Sequence, residues 1–126
     1  MSDLNPKGIP ITIDGVERRF LFTLNVIDDI QDHFETSLSE VVQQFTEKGQ
    51  AYKTLRYVVT ALLNDEAERE LTAGHEGYNL LTEQETGWLI TLENEGEIAL
   101  AVLKAYGYSL PEGDEAPNQE SGTTQE

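Results

Sequence analysis

The chain has no cysteine and only 8 basic residues (Lys and Arg) against 24 acidic residues (Asp and Glu). The missing cysteines exclude disulfides, thiol catalysis and thiolate metal sites. The net charge of −16 opposes the counterion release that drives binding to phosphate backbones, so we expect no nucleic acid partner. The same sign disfavours anionic membrane surfaces, and no apolar run approaches the roughly 20 residues of a membrane-spanning helix. We therefore expect a soluble protein without membrane contacts.

Motifs of catalysis and cofactor binding are also missing. The sequence contains no G-x-x-x-x-G-K-[ST], G-x-G-x-x-G or G-x-S-x-G motif and no EF-hand loop. We expect no catalytic residues and no cofactor, and we expect that the protein is not an enzyme. Residues 1–7 have neither the basic nor the apolar region of a secretion signal, which favours a cytoplasmic protein.

The composition changes after residue 110. Residues 111–126 carry five acids, no base and no large apolar residue. Such a segment cannot bury enough surface to offset the entropy lost on ordering. We therefore expect one domain over residues 1–110 and a disordered acidic tail over residues 111–126.

A β-hairpin is predicted near the beginning of this domain, at about residues 9–22. Asp14-Gly15 lies between two alternating apolar runs, and a type I′ turn needs φ > 0 at both central residues. If Ile13 is opposite Val16, the register follows for the rest of the hairpin. One face should then carry Ile9, Ile11, Ile13, Val16, Phe20 and Phe22, and the helices that follow should cover it.

Residues of about 23–107 are predicted to form four to five helices, which gives an α+β fold with the hairpin packed on a mostly helical body. The start signals are Thr23 as an N-cap and capping boxes at Ser37–Glu40 and Thr82–Glu85. The predicted stop signals are Lys48-Gly49 and Gly107. Apolar residues at helical spacing predict one buried stripe for each helix. In chain order the five stripes are Leu24, Ile27, Ile30 or Gln31, and Phe34; Leu38, Val41, Val42 and Phe45; Tyr52, Leu55, Val58, Val59, Leu62 and Leu63; Trp88, Leu89 and Leu92; Ile98, Val102, Leu103 and Tyr106.

Two boundaries follow from glycines in the second half of the chain. The third helix is predicted over residues 51–71, and a loop containing Gly74 and Gly77 follows over residues 72–81. Gly96 either separates the last two helices or lies within one longer helix, because tertiary packing can override the helix propensity of a single glycine.

Asp28, Asp29, Asp32, His33 and Glu35 form the densest group of possible metal ligands. Asp29 and His33 are four residues apart, a spacing that places both on one face of a helix. No second ligand segment accompanies them, so we interpret the group as a solvated helix face and expect no metal site. His75, which lies beside Glu76 in the glycine-flanked loop, is interpreted as a surface histidine.

A partner-binding site is predicted from large aromatic and apolar residues near the end of the domain. The candidates are Trp88, Tyr106, Tyr108 and Leu110. Aromatic residues are enriched at binding hot spots. The alternative is core packing, because aromatic residues at helical spacing usually face inward.

The sequence resembles the tail assembly chaperones of long-tailed (siphovirus-type) bacteriophages and prophages. The resemblance lies in Ile11-Thr-Ile-Asp-Gly15, in the Arg19-Phe-Leu-Phe-Thr23 step into a helix, and in Asp29-Ile-Gln-Asp-His-Phe-Glu-Thr-Ser-Leu-Ser-Glu40. Relatives often have a glycine-containing turn where this chain has His33-Phe-Glu-Thr-Ser37. The resemblance covers most of residues 9–110.

This resemblance implies a role in tail morphogenesis without catalysis. Such chaperones bind the long, aggregation-prone tape measure protein in the cytoplasm of the bacterial host and keep it soluble until tail tube protein assembles around it. They are generally absent from the mature virion. The resemblance also leaves room for a homo-oligomer and for a longer product made by a translational frameshift.

Two alternatives remain from the residues themselves. The first is an acidic adaptor or inhibitor that masks a basic surface of its partner, which the charge would favour. The second is a small metal-dependent enzyme that uses Asp28, Asp29, Asp32 and His33.

Overall fold

The computed structural model describes residues 8–47 and 51–109, with the backbone alone for residues 46, 47, 108 and 109. The elements are β1 (Ile9–Ile13), β2 (Val16–Phe20), α1 (Leu24–Phe34), α2 (Leu38–Glu47), α3 (Tyr52–Thr72), α4 (Glu83–Leu89) and α5 (Glu95–Ser109). The predicted α+β class, a hairpin followed by a mostly helical body, is confirmed. The predicted stop at Lys48-Gly49 and the predicted tail lie outside the described residues.

The hairpin has the predicted register. Strands β1 and β2 are antiparallel, and Ile13 pairs with Val16 while Ile9 pairs with Phe20. Asp14 has φ 53° and Gly15 has φ 79°, so both central residues of the turn have the positive φ that a type I′ turn requires. The turn chemistry therefore sets the pairing of the whole hairpin.

One prediction about the hairpin face is wrong. Val16 shares the face of Ile13 but is 56% exposed, because it directly follows the turn at the tip of the hairpin, where the helices do not cover it. The register also places Arg18 on this face, opposite Ile11. The inward face is therefore apolar except at Arg18.

Arg18 is accommodated on the inward face by α3. Its Nε donates to Glu66 Oε1 at 2.7 Å, and its Nη2 donates to the carbonyl oxygen of Leu63 at 3.0 Å. The side chains of Arg18 and Glu66 are 13% and 7% exposed. This buried ion pair links the hairpin to α3, and a buried charge needs such a partner to be tolerated.

Helix α3 lies at the centre of the core. It packs against β2, α1, α2 and α4, while α5 packs against the hairpin and α2. The largest fully buried side chains come from all of these helices and from β2, and α4 contributes Thr86: Phe20, Ile30, Val41, Val58, Val59, Leu62, Leu63, Thr86, Ile98 and Val102. In the part of the chain that the structure describes, no helix is both long enough and apolar enough to cross a bilayer.

Helix α1 begins as predicted and buries most of the predicted stripe, since Ile30 is buried and Ile27 and Phe34 pack against the core. The Thr23 hydroxyl accepts a hydrogen bond from the Val26 backbone N–H at 3.3 Å and donates to Asp65 at 3.1 Å. Val26 and Ile30, one turn apart, are buried, whereas Leu24 is 82% exposed. Leu24 is the first helical residue and lies away from the face that Val26 and Ile30 share, so its predicted place in the stripe is wrong.

The turn after α1 uses a left-handed residue that is not glycine. Glu35 has φ 56° and ψ 40° at the C-cap, a conformation that glycine adopts most easily. Leu38 N–H then donates to Gln31 Oε1 at 2.9 Å. This contact fixes the start of α2 against the end of α1.

The segment between α3 and α4 is a loop, as predicted, and it is attached at its far end. Asn64 Nδ2 donates to the Leu81 carbonyl oxygen at 2.8 Å, and Asn64 Oδ1 accepts from the Leu81 N–H at 2.7 Å. The predicted capping box of α4 is confirmed: Thr82 Oγ1 accepts from the Glu85 N–H, and the Glu85 carboxylate accepts from the Thr82 N–H. The start of α4 is therefore fixed at two adjacent residues.

Two predicted boundaries near α5 are wrong. Helix α4 ends at Leu89, so Leu92 lies in the link between the helices and not on α4. Gly107 does not stop α5, which continues to Ser109, and Gly96 lies inside its first turn. Neither glycine has a positive φ. The cost of a glycine in a helix, about 1 kcal/mol, is small enough for the packing of α5 to exceed it.

The two glycine environments predict opposite effects of alanine. Gly15→Ala should lower the free energy of unfolding by about 1 kcal/mol, because alanine is strained at φ 79°. Gly107→Ala should raise it by about 0.5 kcal/mol, because the site is helical and an added Cβ meets no atom within 4 Å. Urea unfolding followed by circular dichroism measures both changes. Stabilisation by Gly15→Ala would contradict the assigned turn.

Candidate partner-binding surface

The link between α4 and α5 is a short turn closed by its own side chains. Asn94 Oδ1 accepts from the Thr91 N–H at 2.7 Å, and Asn94 Nδ2 donates to the Leu89 carbonyl oxygen at 2.9 Å. The Glu95 N–H donates to the Thr91 carbonyl oxygen at 2.8 Å. These bonds satisfy one of the backbone groups left open at the end of α4, the Leu89 carbonyl, and one at the start of α5, the Glu95 N–H. The turn therefore holds the residues between Thr91 and Asn94 in a defined position.

Large apolar side chains are exposed around this turn. Leu92, at the turn, is 81% exposed; Trp88, on α4, is 69% exposed; Tyr52, at the start of α3, is 48% exposed. Tryptophan and tyrosine are enriched at the hot spots of protein interfaces, and burial of an apolar side chain such as that of Leu92 by a partner is also favourable. The hydrogen-bonded turn shows that the exposure of Leu92 has a structural basis.

A groove of about 240 Å³ lies between the start of α3 and the α4–α5 turn, and we call it the α3/α4 groove. Its lining is apolar apart from Arg56, Thr91 and Glu95. The lining residues are Tyr52, Leu55, Arg56, Gly87, Ile90, Thr91, Leu92 and Glu95. Trp88 directly follows Gly87 in the chain, so the groove and the exposed indole belong to the same part of α4.

The side chain of Arg56, on α3, packs against α4 at Gly87. A Cβ at Gly87 would lie 3.1 Å from Arg56 Cδ, so the glycine leaves the space that the arginine stem uses. The Nε atom of Arg56 is buried and has no hydrogen-bond acceptor. Sequence reasoning did not select this arginine, because no motif surrounds it and the groove forms only when α3 and α4 pack.

The four predicted partner-binding residues have different positions. Trp88 is exposed and follows the groove residue Gly87 in the chain, whereas Tyr106 is partly buried, with its ring edge-to-face against Phe22 at a centroid distance of 6.4 Å. The Tyr108 side chain and Leu110 lie outside the described residues. A role of these residues in partner binding stays a prediction.

Asp29 and His33 are both engaged by Tyr57 of α3. The Tyr57 hydroxyl donates to Asp29 Oδ1 at 2.6 Å, and the His33 ring stacks on the Tyr57 ring at 3.8 Å between centroids. Burial raises the pKa of Tyr57 above its ordinary value, and the hydrogen bond to Asp29 raises it further. The phenol therefore stays protonated and donates. The predicted one-face pairing of Asp29 and His33 is confirmed, and it positions α1 on α3.

The remaining histidine also has a local partner. His75 Nδ1 is 2.5 Å from Oε1 of Glu70, which lies near the end of α3. The side chain of His75 is 64% exposed. Within residues 8–47 and 51–109, no three His, Asp or Glu side chains come together in a group that could hold a metal ion.

A second groove, of about 430 Å³, lies between α1 and α3 and carries four carboxylates: Asp29, Asp65, Glu68 and Glu83. Asp65 is paired with Arg69 at 2.9 Å, and Asp29 accepts from Tyr57. Neither Glu68 nor Glu83 forms an ion pair within the described part of the chain. This acidic groove is chemically distinct from the α3/α4 groove.

Comparisons with protein families, with curated proteins and with solved structures gave no match to this chain. The choice between functions therefore depends on two features: the surface around the α4–α5 turn, and the acidic groove between α1 and α3.

Proposed function

We propose that this protein is a tail assembly chaperone of a long-tailed bacteriophage or prophage. It binds the tape measure protein in the cytoplasm of the bacterial host, keeps it soluble and helps to recruit tail tube subunits, and it is not retained in the mature virion. The observation that carries the proposal is the exposed apolar surface at Trp88 and Leu92, held by a hydrogen-bonded turn on an acidic body. The resemblance of residues 11–40 to such chaperones supports the same role.

The physical requirements of such a chaperone match this surface. A long helical client exposes apolar stripes, and a groove lined by apolar side chains can cover one of them. The net charge of −16 then makes neighbouring chaperone–client complexes repel each other and opposes aggregation.

Trp88→Ala/Leu92→Ala should abolish most client binding without unfolding the chaperone. Loss of two exposed hot-spot side chains should lower client affinity at least about tenfold. The free energy of unfolding should change by less than about 0.5 kcal/mol, because neither side chain is buried. Co-expression with the tape measure protein encoded beside the chaperone gene, followed by measurement of the soluble client, tests this.

The matched control is Leu24→Ala, since Leu24 is 82% exposed but lies on α1. It should leave the amount of soluble client unchanged. The proposal fails if the client is insoluble with the wild-type protein and does not co-purify with it.

The acidic groove favours a second function, that of an adaptor or inhibitor that masks a basic surface. The unpaired carboxylates of Glu68 and Glu83 would bind lysine or arginine side chains of that partner. Such binding should weaken steeply between low and high salt, whereas apolar binding at Trp88 and Leu92 should persist. A pull-down across a salt series, with wild type and Glu68→Gln/Glu83→Gln, distinguishes the two functions.

A further inference from the structure

Arg56 differs from the other arginines of the described chain by having no carboxylate partner. Arg18, Arg19 and Arg69 each form an ion pair with Glu66, Glu17 and Asp65, respectively. Arg56 forms no ion pair and its side chain donates no hydrogen bond within the described residues, and its Nε is buried without an acceptor. In a chain with 24 acids, carboxylates are abundant, so an unpaired arginine is unexpected.

Arg56 lies in an apolar setting and forms no ion pair with any carboxylate of the described residues. It lines the α3/α4 groove among Tyr52, Ile90 and Leu92, and the one carboxylate of that lining, Glu95, forms no ion pair with it. Gly87 leaves room for the arginine stem at 3.1 Å. The groove thus combines apolar walls with an arginine that forms no ion pair within the described residues, and Glu95 is the single acid of its lining.

We propose that the α3/α4 groove binds a client helix that carries a carboxylate on its apolar face, and that this carboxylate pairs with Arg56. The client is the one given by the proposed function, on which this inference rests. A guanidinium binds a carboxylate through two parallel hydrogen bonds, often from Nε and one Nη. Arg56 already lines the groove, and its Nε is buried without an acceptor, so a client carboxylate would supply a partner that this atom lacks within the described residues.

Charge complementarity makes this site selective. The negative electrostatic potential of the whole chain repels acidic segments. An acidic peptide without an apolar stripe is therefore not expected to bind. An apolar helix with one Asp or Glu in its stripe meets a cation and apolar walls in the same groove. An apolar helix without the acid leaves the guanidinium unpaired beneath it, which is unfavourable.

The test uses overlapping 20-residue peptides that together span the tape measure protein. Binding is measured by fluorescence anisotropy with the wild-type chain and with Arg56→Met, which keeps an apolar stem. The tightest peptides should contain Asp or Glu within an apolar i, i+3, i+4 stripe, and Arg56→Met should weaken them at least tenfold. In these peptides Glu→Lys should abolish wild-type binding and restore binding to Arg56→Glu.

The control is Lys104→Met, which removes the same charge from an exposed position on α5. Equal loss of affinity in Lys104→Met and Arg56→Met, or no loss in Arg56→Met, overturns the inference. If no peptide binds, the full-length client is co-expressed with Arg56→Met, and an unchanged amount of soluble client overturns it too. If the pairing with Arg56 is overturned but the wild-type chain still keeps the client soluble, the chaperone role stands. If the client is insoluble with the wild-type chain, both the pairing and the chaperone role are overturned.

Discussion

Phe20→Ala is expected to lower the free energy of unfolding by about 3 to 5 kcal/mol. The Phe20 side chain is completely buried, and it lies where β2 packs on α3 and α5. Alanine would lose the transfer free energy of the ring and would leave a cavity that the surrounding side chains fill only in part. Urea unfolding followed by far-ultraviolet circular dichroism measures the change.

The hairpin supplies its own control for this experiment. Val16→Ala removes an apolar side chain from the same face of the same strand, but Val16 is 56% exposed. Its effect should stay below about 1 kcal/mol, since little buried surface is lost. Similar effects of the two substitutions would contradict the packing of the hairpin on the helices.

Glu66→Ala is expected to destabilise the fold by about 3 kcal/mol or more, because it leaves the buried Arg18 guanidinium without its charge partner. The contact is short, at 2.7 Å, and both side chains are largely excluded from water. The remaining hydrogen bond from Arg18 to the Leu63 carbonyl oxygen does not neutralise the charge. Urea unfolding of the variant gives the value.

Two further variants show whether the charge is responsible. Glu17→Ala removes a carboxylate from the exposed pair with Arg19 and should cost less than about 1 kcal/mol. Arg18→Met/Glu66→Leu replaces both buried charges with apolar side chains and should recover most of the stability lost in Glu66→Ala. A double variant as unstable as Glu66→Ala would show that the unpaired charge of Arg18 does not account for the loss of stability.

The features that sequence reasoning predicted correctly depend on neighbouring residues. The register of β1 and β2 follows from Asp14-Gly15, and the start of α4 follows from the hydroxyl of Thr82 and the carboxylate of Glu85 three residues later. Each of these signals acts within one turn or one hairpin. The backbone geometry at these positions therefore follows from contacts between near neighbours in the chain.

The features that it missed depend on packing between distant segments. Arg18 and Glu66 are 48 residues apart, and nothing in either local sequence indicates the other. Leu24 fits a helical stripe on spacing alone, but the packing of α1 on α3 buries Val26 and leaves Leu24 exposed. Gly107 reads as a stop signal, yet α5 gains enough from the core to continue.

The candidate site was predicted only in part for the same reason. Trp88 was selected because it is large and aromatic, which is a local property. Arg56 acquires its significance from Gly87 and from the α4–α5 turn, which approach it only in the folded chain. Whether an arginine has an ion-pair partner depends on contacts between distant segments. The local sequence around Arg56 therefore does not indicate that it is unpaired.

The double hydrogen bond between Asn64 and Leu81 has a practical consequence for engineering this chain. Because it fixes the start of α4 independently of the preceding loop, the length of chain between Gly74 and Gly77 can change without moving the α3/α4 groove. Lengthening a loop whose ends are already fixed costs little free energy, about 0.6 kcal/mol for each doubling. Residues 74–77 are exposed, so an epitope tag or a fluorescent reporter placed there would label the protein and leave both grooves open.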